Sequence, residues 1–67
     1  MTALDYVAVS TGQVFDTVTL DGDRLRFATG AAEQMFTTWR ERFGWSDVTT
    51  FQYLSRWSNG YAALRLR

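Results

Sequence analysis

Hydrophobic and polar positions alternate near the N-terminus, as in β-strands that bury one face. Residues 4–10 (LDYVAVS) form a short run rich in β-branched and aromatic side chains. Two further runs, residues 13–20 (QVFDTVTL) and 23–29 (DRLRFAT), flank Asp21-Gly22, a dipeptide typical of a two-residue type I′ hairpin turn. The pattern therefore predicts antiparallel β-structure over residues 4–28.

This hairpin would have one apolar and one polar face. With Asp21-Gly22 as the turn, Val18 lies opposite Leu25 on the apolar side. The polar side carries Thr17, Thr19, Arg24 and Arg26. The same register turns Asp16 towards the core and Phe15 outwards. A bulge at these two residues would exchange them, and we expect that bulge, or a frayed strand end, rather than a functional carboxylate that points inwards.

After residue 29 the hydrophobic period lengthens to that of an α-helix. The apolar side chains of residues 30–43 then gather on one side, and Gly44 is suited to end this helix in a left-handed conformation. A second helix is predicted over residues 47–58, with Ser46 or Asp47 as its capping residue. Its inner side chains would be Val48, Phe51 and Leu54, with Tyr53 and Trp57 one turn apart on a flank.

The last residues, YAALRLR, alternate again and predict a strand over residues 61–66. The predicted order is β-β-β-α-α-β, an α+β fold in which two helices cover one face of an antiparallel sheet. No repeat or linker-like segment interrupts the chain, so residues 1–67 are expected to form a single domain.

Two tryptophans flank the predicted end of the first helix in the stretch WRERFGW. Trp45 follows the helix-ending glycine, and the residue at that position usually folds back onto the last turns of the helix. Trp39 and Trp45 should therefore meet. We expect a buried corner rather than an exposed aromatic surface, which leaves Trp57 as the tryptophan of greater functional interest.

The composition argues against catalysis and against bound cofactors. The chain contains no Cys, no His and no Lys, so the commonest general base, the strongest nucleophile and the Schiff-base amine are all missing. Glycines occur singly rather than in a phosphate-binding loop, and the ligand pattern of a calcium loop fails after Asp23. We expect a protein that is not an enzyme and that binds no cofactor, metal or small-molecule substrate.

The charge pattern is neutral overall but unusual in its basic residues. The formal net charge is +0, and all seven basic residues are Arg. A GC-rich genome explains this usage, as does selection for contacts that only Arg makes; it suits an accessory protein of an actinobacterium or its phage. No apolar run approaches a membrane span, and the N-terminus does not have the pattern of a signal peptide. The expected location is cytoplasmic, with no membrane partner.

A protein–protein interaction module, an adaptor or a small homo-oligomer, is the favoured function. Aromatic and Arg residues are enriched in such interfaces. The contact surface would be the Arg-bearing sheet face (Arg24, Arg26 and Arg65) or the flank formed by Tyr53 and Trp57. An unpaired sheet edge is a further candidate. The alternatives are an ordinary solvated sheet face and a Trp57 packed beneath the C-terminal strand or the N-terminal segment.

DNA binding is the alternative function. Two helices joined by a short Gly-containing turn are typical of a helix-turn-helix, and Thr49, Gln52 and Arg56 would then reach the DNA. The stretch GWSDVTTFQYLSRWSNG loosely resembles excisionase-type winged helices, but the strands come first and the first helix is too long for that family. The neutral charge also favours a simple packed helical hairpin over DNA binding.

Overall fold

The strands and helices follow one another in the order predicted from the sequence. The computed structural model describes residues 2–67. Its elements are β1 (Ala3–Ala8), β2 (Val14–Asp21), β3 (Arg24–Phe27), α1 (Glu33–Phe43), α2 (Asp47–Leu54) and β4 (Ala62–Leu66). The α+β class and the β-β-β-α-α-β order are therefore confirmed.

The strands form one antiparallel sheet with the order β3-β2-β1-β4. Leu4 in β1 lies opposite Val18 in β2 and Leu66 in β4, so the alternation of each strand brings its larger apolar side chains to the same face. Both helices pack on that face. The buried core consists of Leu4, Val18, Ala32, Phe36, Phe51, Leu54 and Leu64.

The hairpin between β2 and β3 has a different turn from the predicted one. Asp21 pairs with Arg24, so the loop residues are Gly22 and Asp23 instead of Asp21-Gly22. Gly22 has φ +64° and no non-glycine residue of the described chain has a positive φ, whereas a type I′ turn needs positive φ at both loop positions. The pairing is displaced by two residues, which preserves the predicted apolar and polar faces because side chains alternate with a period of two.

A bulge does interrupt β2 next to Asp16, but it does not turn this residue outwards. Tyr6 pairs with Asp16 and Val7 with Val14, which leaves Phe15 as the extra residue. The Phe15 ring lies 5.8 Å from the ring of Tyr6, and Asp16 is only 1% exposed. The expectation of an outward Asp16 was therefore wrong.

The Asp16 carboxylate holds the connection between β3 and α1. Its Oδ1 accepts hydrogen bonds from the backbone N–H groups of Thr17 and Thr29, both at 2.8 Å, and its Oδ2 accepts one from Ala32 at 2.9 Å. Burial raises the pKa of Asp16, but the hydrogen bonds from Ala32, Thr29 and Thr17 outweigh that effect and hold the pKa below its ordinary value.

The end of α1 and the start of α2 follow sequence signals that were recognised, whereas the other two helix ends differ from the prediction. Helix α1 begins at Glu33, three residues after the predicted start at residue 30, and its N-cap, Ala32, makes no side-chain capping hydrogen bond. Gly30 has a left-handed φ of +87°, which keeps it out of the helix. Gly44 ends α1 with φ +66°, and Ser46 caps α2 through its Oγ, which accepts from the Thr49 N–H. However, α2 ends at Leu54, four residues before the predicted end at residue 58. The following segment instead pairs with β4: the Leu64 N–H donates to the Trp57 carbonyl oxygen at 2.9 Å.

Candidate functional site

An aromatic cluster lies where the two helices meet. It consists of Trp39 and Phe43 from α1, Trp45 from the connection, and Tyr53 from α2; we call it the aromatic corner. The centroid distances are 4.6 Å for Phe43–Trp45, 4.7 Å for Trp45–Tyr53, 5.3 Å for Trp39–Tyr53, 5.5 Å for Trp39–Phe43 and 6.3 Å for Trp39–Trp45. These separations are typical of interacting aromatic pairs.

Local sequence explains how these rings come together. Trp39 and Phe43 are four residues apart on α1, which places them on one side of the helix. Gly44 then reverses the chain in its left-handed conformation, and the Trp45 N–H donates to the Arg40 carbonyl oxygen at 3.0 Å. Trp45 is thereby brought back against α1, and its ring lies within 12° of parallel to that of Trp39.

The predicted meeting of Trp39 with Trp45 is thus confirmed, but their surroundings differ from the expectation. Phe43 is 49% exposed and Tyr53 57% exposed, while the two tryptophans are partly buried. The corner is therefore a half-exposed aromatic surface and not a buried one. The sequence analysis did not include Phe43 among the candidate contact residues. Its spacing from Trp39 and its place before Gly44-Trp45 were signals that could have identified it.

Tyr53 and Trp57 do not form the single flank that a longer helix would have given them. Since α2 ends at Leu54, Trp57 lies outside the helix and packs against the hydrophobic core. Its ring is 6.5 Å from that of Tyr6 on the sheet. Tyr53 belongs to the aromatic corner, whereas Trp57 packs against the core beside Tyr6 of β1. This matches the alternative in which Trp57 packs against the N-terminal segment.

The arginines predicted on the sheet face lie at its two edges. Arg24 and Arg26 belong to β3, and Arg65 belongs to β4 at the other end of the strand order. Arg26 forms an ion pair with Asp21 at 2.9 Å. Strand alternation places all three on the face away from the helices, but two intervening strands separate the β3 pair from Arg65.

The residues predicted for DNA contact are distributed over α2 and the segment that follows it. Gln52 is exposed on the helix, and Arg56 is exposed beyond its end. Thr49 takes part in the cap of α2: its Oγ1 accepts from the Ser46 hydroxyl at 3.1 Å. The helix has only eight residues, shorter than the predicted one.

Both edges of the sheet carry additional hydrogen bonds. Backbone atoms of residues 57–59 pair with β4, as the bridge between Ser58 and Ala63 shows. At β3, the Leu25 N–H donates to Asp47 Oδ2 at 3.0 Å. Such coverage reduces the capacity of an edge strand to add a foreign strand, so the aromatic corner is a stronger candidate for contact than the edges.

Asp47 connects α1, α2 and β3. Arg40 Nη1 donates to Asp47 Oδ1 at 2.6 Å, while Oδ2 receives the Leu25 N–H. These two hydrogen bonds, that from Arg40 first, lower the pKa of Asp47 from its ordinary value against the opposing effect of burial. The Arg40–Asp47 pair thus links α1 to the first turn of α2, the helix that carries Tyr53.

No ligand-sized cavity and no cluster of acidic side chains suited to a metal ion occurs within residues 2–67. In the same part of the chain, none of the helices has the length and apolarity needed to cross a membrane. Comparison with protein-family models, with curated proteins and with solved structures found no significant match to this chain.

Proposed function

We propose that the chain is a non-enzymatic protein-binding module and that the aromatic corner is its contact surface. The observation that supports this most directly is the concentration of four interacting aromatic rings, two of which, Phe43 and Tyr53, are about half exposed. Trp, Tyr and Arg are the residues most enriched at the energetic centres of protein interfaces.

The exposed rings provide enough apolar surface to anchor a partner. Phe43 is 49% and Tyr53 57% exposed, and at roughly 200 Å² per ring the pair presents about 200 Å². Covering that area would contribute about 5 kcal/mol before the costs of association. This is the scale of an interface centre, which a surrounding rim would extend to about 800 Å² per partner.

Affinity capture with the wild-type chain and a Phe43→Ser/Tyr53→Ser variant tests the proposal. We expect the wild-type chain to retain a protein partner, identified by mass spectrometry, that the variant loses because its apolar anchors are gone. Tyr61→Ser is the matched control, since it removes an 86% exposed tyrosine that is not part of the corner. Equal capture by wild type and corner variant would reject the aromatic corner as the contact surface.

Nuclease treatment of the same samples examines the alternative function. DNA binding through Thr49, Gln52 and Arg56 predicts retention that depends on nucleic acid and falls steeply with salt. Gln52 and Arg56 are exposed and so available for it.

Homo-oligomerisation, a cytoplasmic location and an origin in an actinobacterium or its phage remain predictions from composition.

A further inference from the structure

Charged residues surround the aromatic stripe of α1 unevenly. At 3.6 residues per turn, Arg40 and Arg42 lie about 80° to either side of the midline between Trp39 and Phe43, whereas Glu41 lies about 180° away. The helix therefore presents both of its cations beside the aromatic corner and Glu41 on the opposite side, while its other acidic residue, Glu33, lies in the first turn.

Of the two arginines beside the aromatic corner, Arg42 is the one that is available to a partner. Its guanidinium carbon lies 5.6 Å from the centre of the Phe43 ring, a cation–π arrangement. The ion pairs within residues 2–67 are Arg26–Asp21, Arg40–Asp47 and Arg67–Asp5, so Arg42 has no carboxylate within 4.0 Å in that part of the chain. An exposed guanidinium held against an exposed ring is well placed to meet an anionic group next to an apolar one.

Arg40 differs from Arg42 because its charge is already matched. Its guanidinium is bound to Asp47 at 2.6 Å, and the other oxygen of that carboxylate accepts the Leu25 N–H. The side chains of the pair are 37% and 21% exposed. The corner thus combines a neutralised pair on one side with an unmatched positive charge on the other.

We propose that the aromatic corner binds an acidic peptide segment in which Asp or Glu stands close to a large apolar side chain. This rests on the proposed function and adds the chemistry of the partner. The apolar side chain would cover the exposed parts of Phe43 and Tyr53, and the carboxylate would pair with Arg42. Complementary charge of this kind confers selectivity and orientation on an interface.

The same observations disfavour two other occupants. A symmetric second copy would bring two Arg42 side chains to one interface, while Glu41 lies on the far side of α1 and Asp47 is already engaged. A single-stranded nucleic acid would find aromatic rings for stacking, but a chain of net charge +0 with one unmatched arginine at the site offers little attraction for a phosphate backbone.

Selection from a phage-displayed library of random peptides tests the proposal, because such a library presents acidic, basic and neutral segments to the corner in one experiment. We expect the wild-type protein to enrich peptides with Asp or Glu beside Leu, Ile, Met, Phe or Trp. Fluorescence anisotropy with labelled synthetic copies then measures binding. Phe43→Ser should weaken it at least about tenfold, as at an interface hot spot, and Arg42→Gln about three- to fivefold, as for an exposed ion pair.

Two controls separate the local charge from general effects. Arg65→Gln removes the same charge from the sheet face that the helices leave uncovered, and it should leave peptide affinity unchanged. Replacing the peptide's acid by its amide should weaken binding to wild type but not to Arg42→Gln, because the two changes remove the same interaction. Tyr53→Ser provides a second test of the aromatic contact, and far-UV circular dichroism checks that each variant folds.

The outcomes distinguish this proposal from the function on which it rests. Peptides that require Phe43 but are indifferent to Arg42 and to their own charge would refute the acidic partner while leaving the binding surface intact. Binding unaffected by both Phe43→Ser and Tyr53→Ser would refute both. Preferential binding of an oligothymidylate strand, or a dimer in multi-angle light scattering that Phe43→Ser dissociates, would replace the acidic peptide with a different occupant.

Discussion

Replacement of Asp16 should strongly destabilise the fold, although Asp16 lies in no candidate binding surface. Asp16 is only 1% exposed. Its carboxylate accepts three backbone hydrogen bonds, and two of them come from the segment that connects β3 to α1. In Asp16→Ala these N–H groups lose their acceptor. In Asp16→Asn one carboxylate oxygen becomes an NH₂ group, which cannot accept the hydrogen bond from Ala32 without rearrangement.

The expected magnitude follows from the burial of each donor. The Ala32 hydrogen bond is buried, whereas those from Thr17 and Thr29 are only partly buried. Losing the first costs about 1–3 kcal/mol, and the other two about 0.5–1 kcal/mol each because water can replace the acceptor. Asp16→Ala should therefore lose about 2–5 kcal/mol and Asp16→Asn about 1–3 kcal/mol, against a total of about 3–10 kcal/mol for a chain of this length.

Urea unfolding followed by tryptophan fluorescence measures these differences. Since the pKa of Asp16 is lowered in the folded state, its contribution is fully present above about pH 5 and is lost as the pH falls through the unfolded and then the folded pKa. Asp16→Asn lacks this contribution, so its stability should fall less steeply with acid than that of wild type. The pKa of Asp47 is also lowered in the folded state, so Asp47 likewise contributes stability that is lost in acid. That contribution remains in Asp16→Asn, which is why some acid dependence is expected in the variant.

Asp23→Asn is the matched control, because Asp23 is exposed in the hairpin loop. It should change the stability by no more than about 0.5 kcal/mol. If Asp16→Asn matched wild type in stability and in its acid dependence, the carboxylate would not be holding the connection to α1. A loss of the same size in Asp23→Asn would point to a general charge effect instead.

Three further substitutions examine other parts of the fold by the same unfolding measurement. Asp47→Ala should cost about 1–3 kcal/mol, because Arg40 and the Leu25 N–H both lose their acceptor; an unchanged stability would contradict the proposed link between β3 and the helices. Gly44→Ala should cost about 1 kcal/mol, because a left-handed φ strains a side chain, and stabilisation would contradict that conformation. Leu54→Ala should cost about 2–5 kcal/mol through a core cavity, and a loss below about 1 kcal/mol would contradict its burial.

The alternation of apolar and polar residues in the strands was the most informative pattern in the sequence. It predicted which side chains of β2 and β3 face the core, and this survived a displaced turn because the displacement was by two residues. The choice of turn itself failed: both Asp21-Gly22 and Gly22-Asp23 offer a glycine, and only the pairing of the whole hairpin distinguishes them.

Two errors arose where long-range contacts outweighed local preference. The periodicity of α2 continues to Trp57, yet pairing with β4 takes the chain out of the helix after Leu54. Asp16 interrupts an apolar face in the sequence, but two of its three hydrogen-bond donors, Thr29 and Ala32, lie more than ten positions away. Neither partner is visible in a local window, so a bulge that expelled the charge was the simpler expectation.

Stability alone does not account for the aromatic corner. Four rings gather there, but two of them remain about half exposed, and about 200 Å² of apolar surface forgoes about 5 kcal/mol of burial. That is a large fraction of the stability expected for a chain of this length. The core is meanwhile completed by other residues, with Phe36 and Leu54 fully buried. The rings also lie next to two local features that join the helices, the left-handed Gly44 and the Arg40–Asp47 pair. The partly exposed rings beside an arginine without an ion-pair partner are the reason that we propose a contact with another protein at this corner.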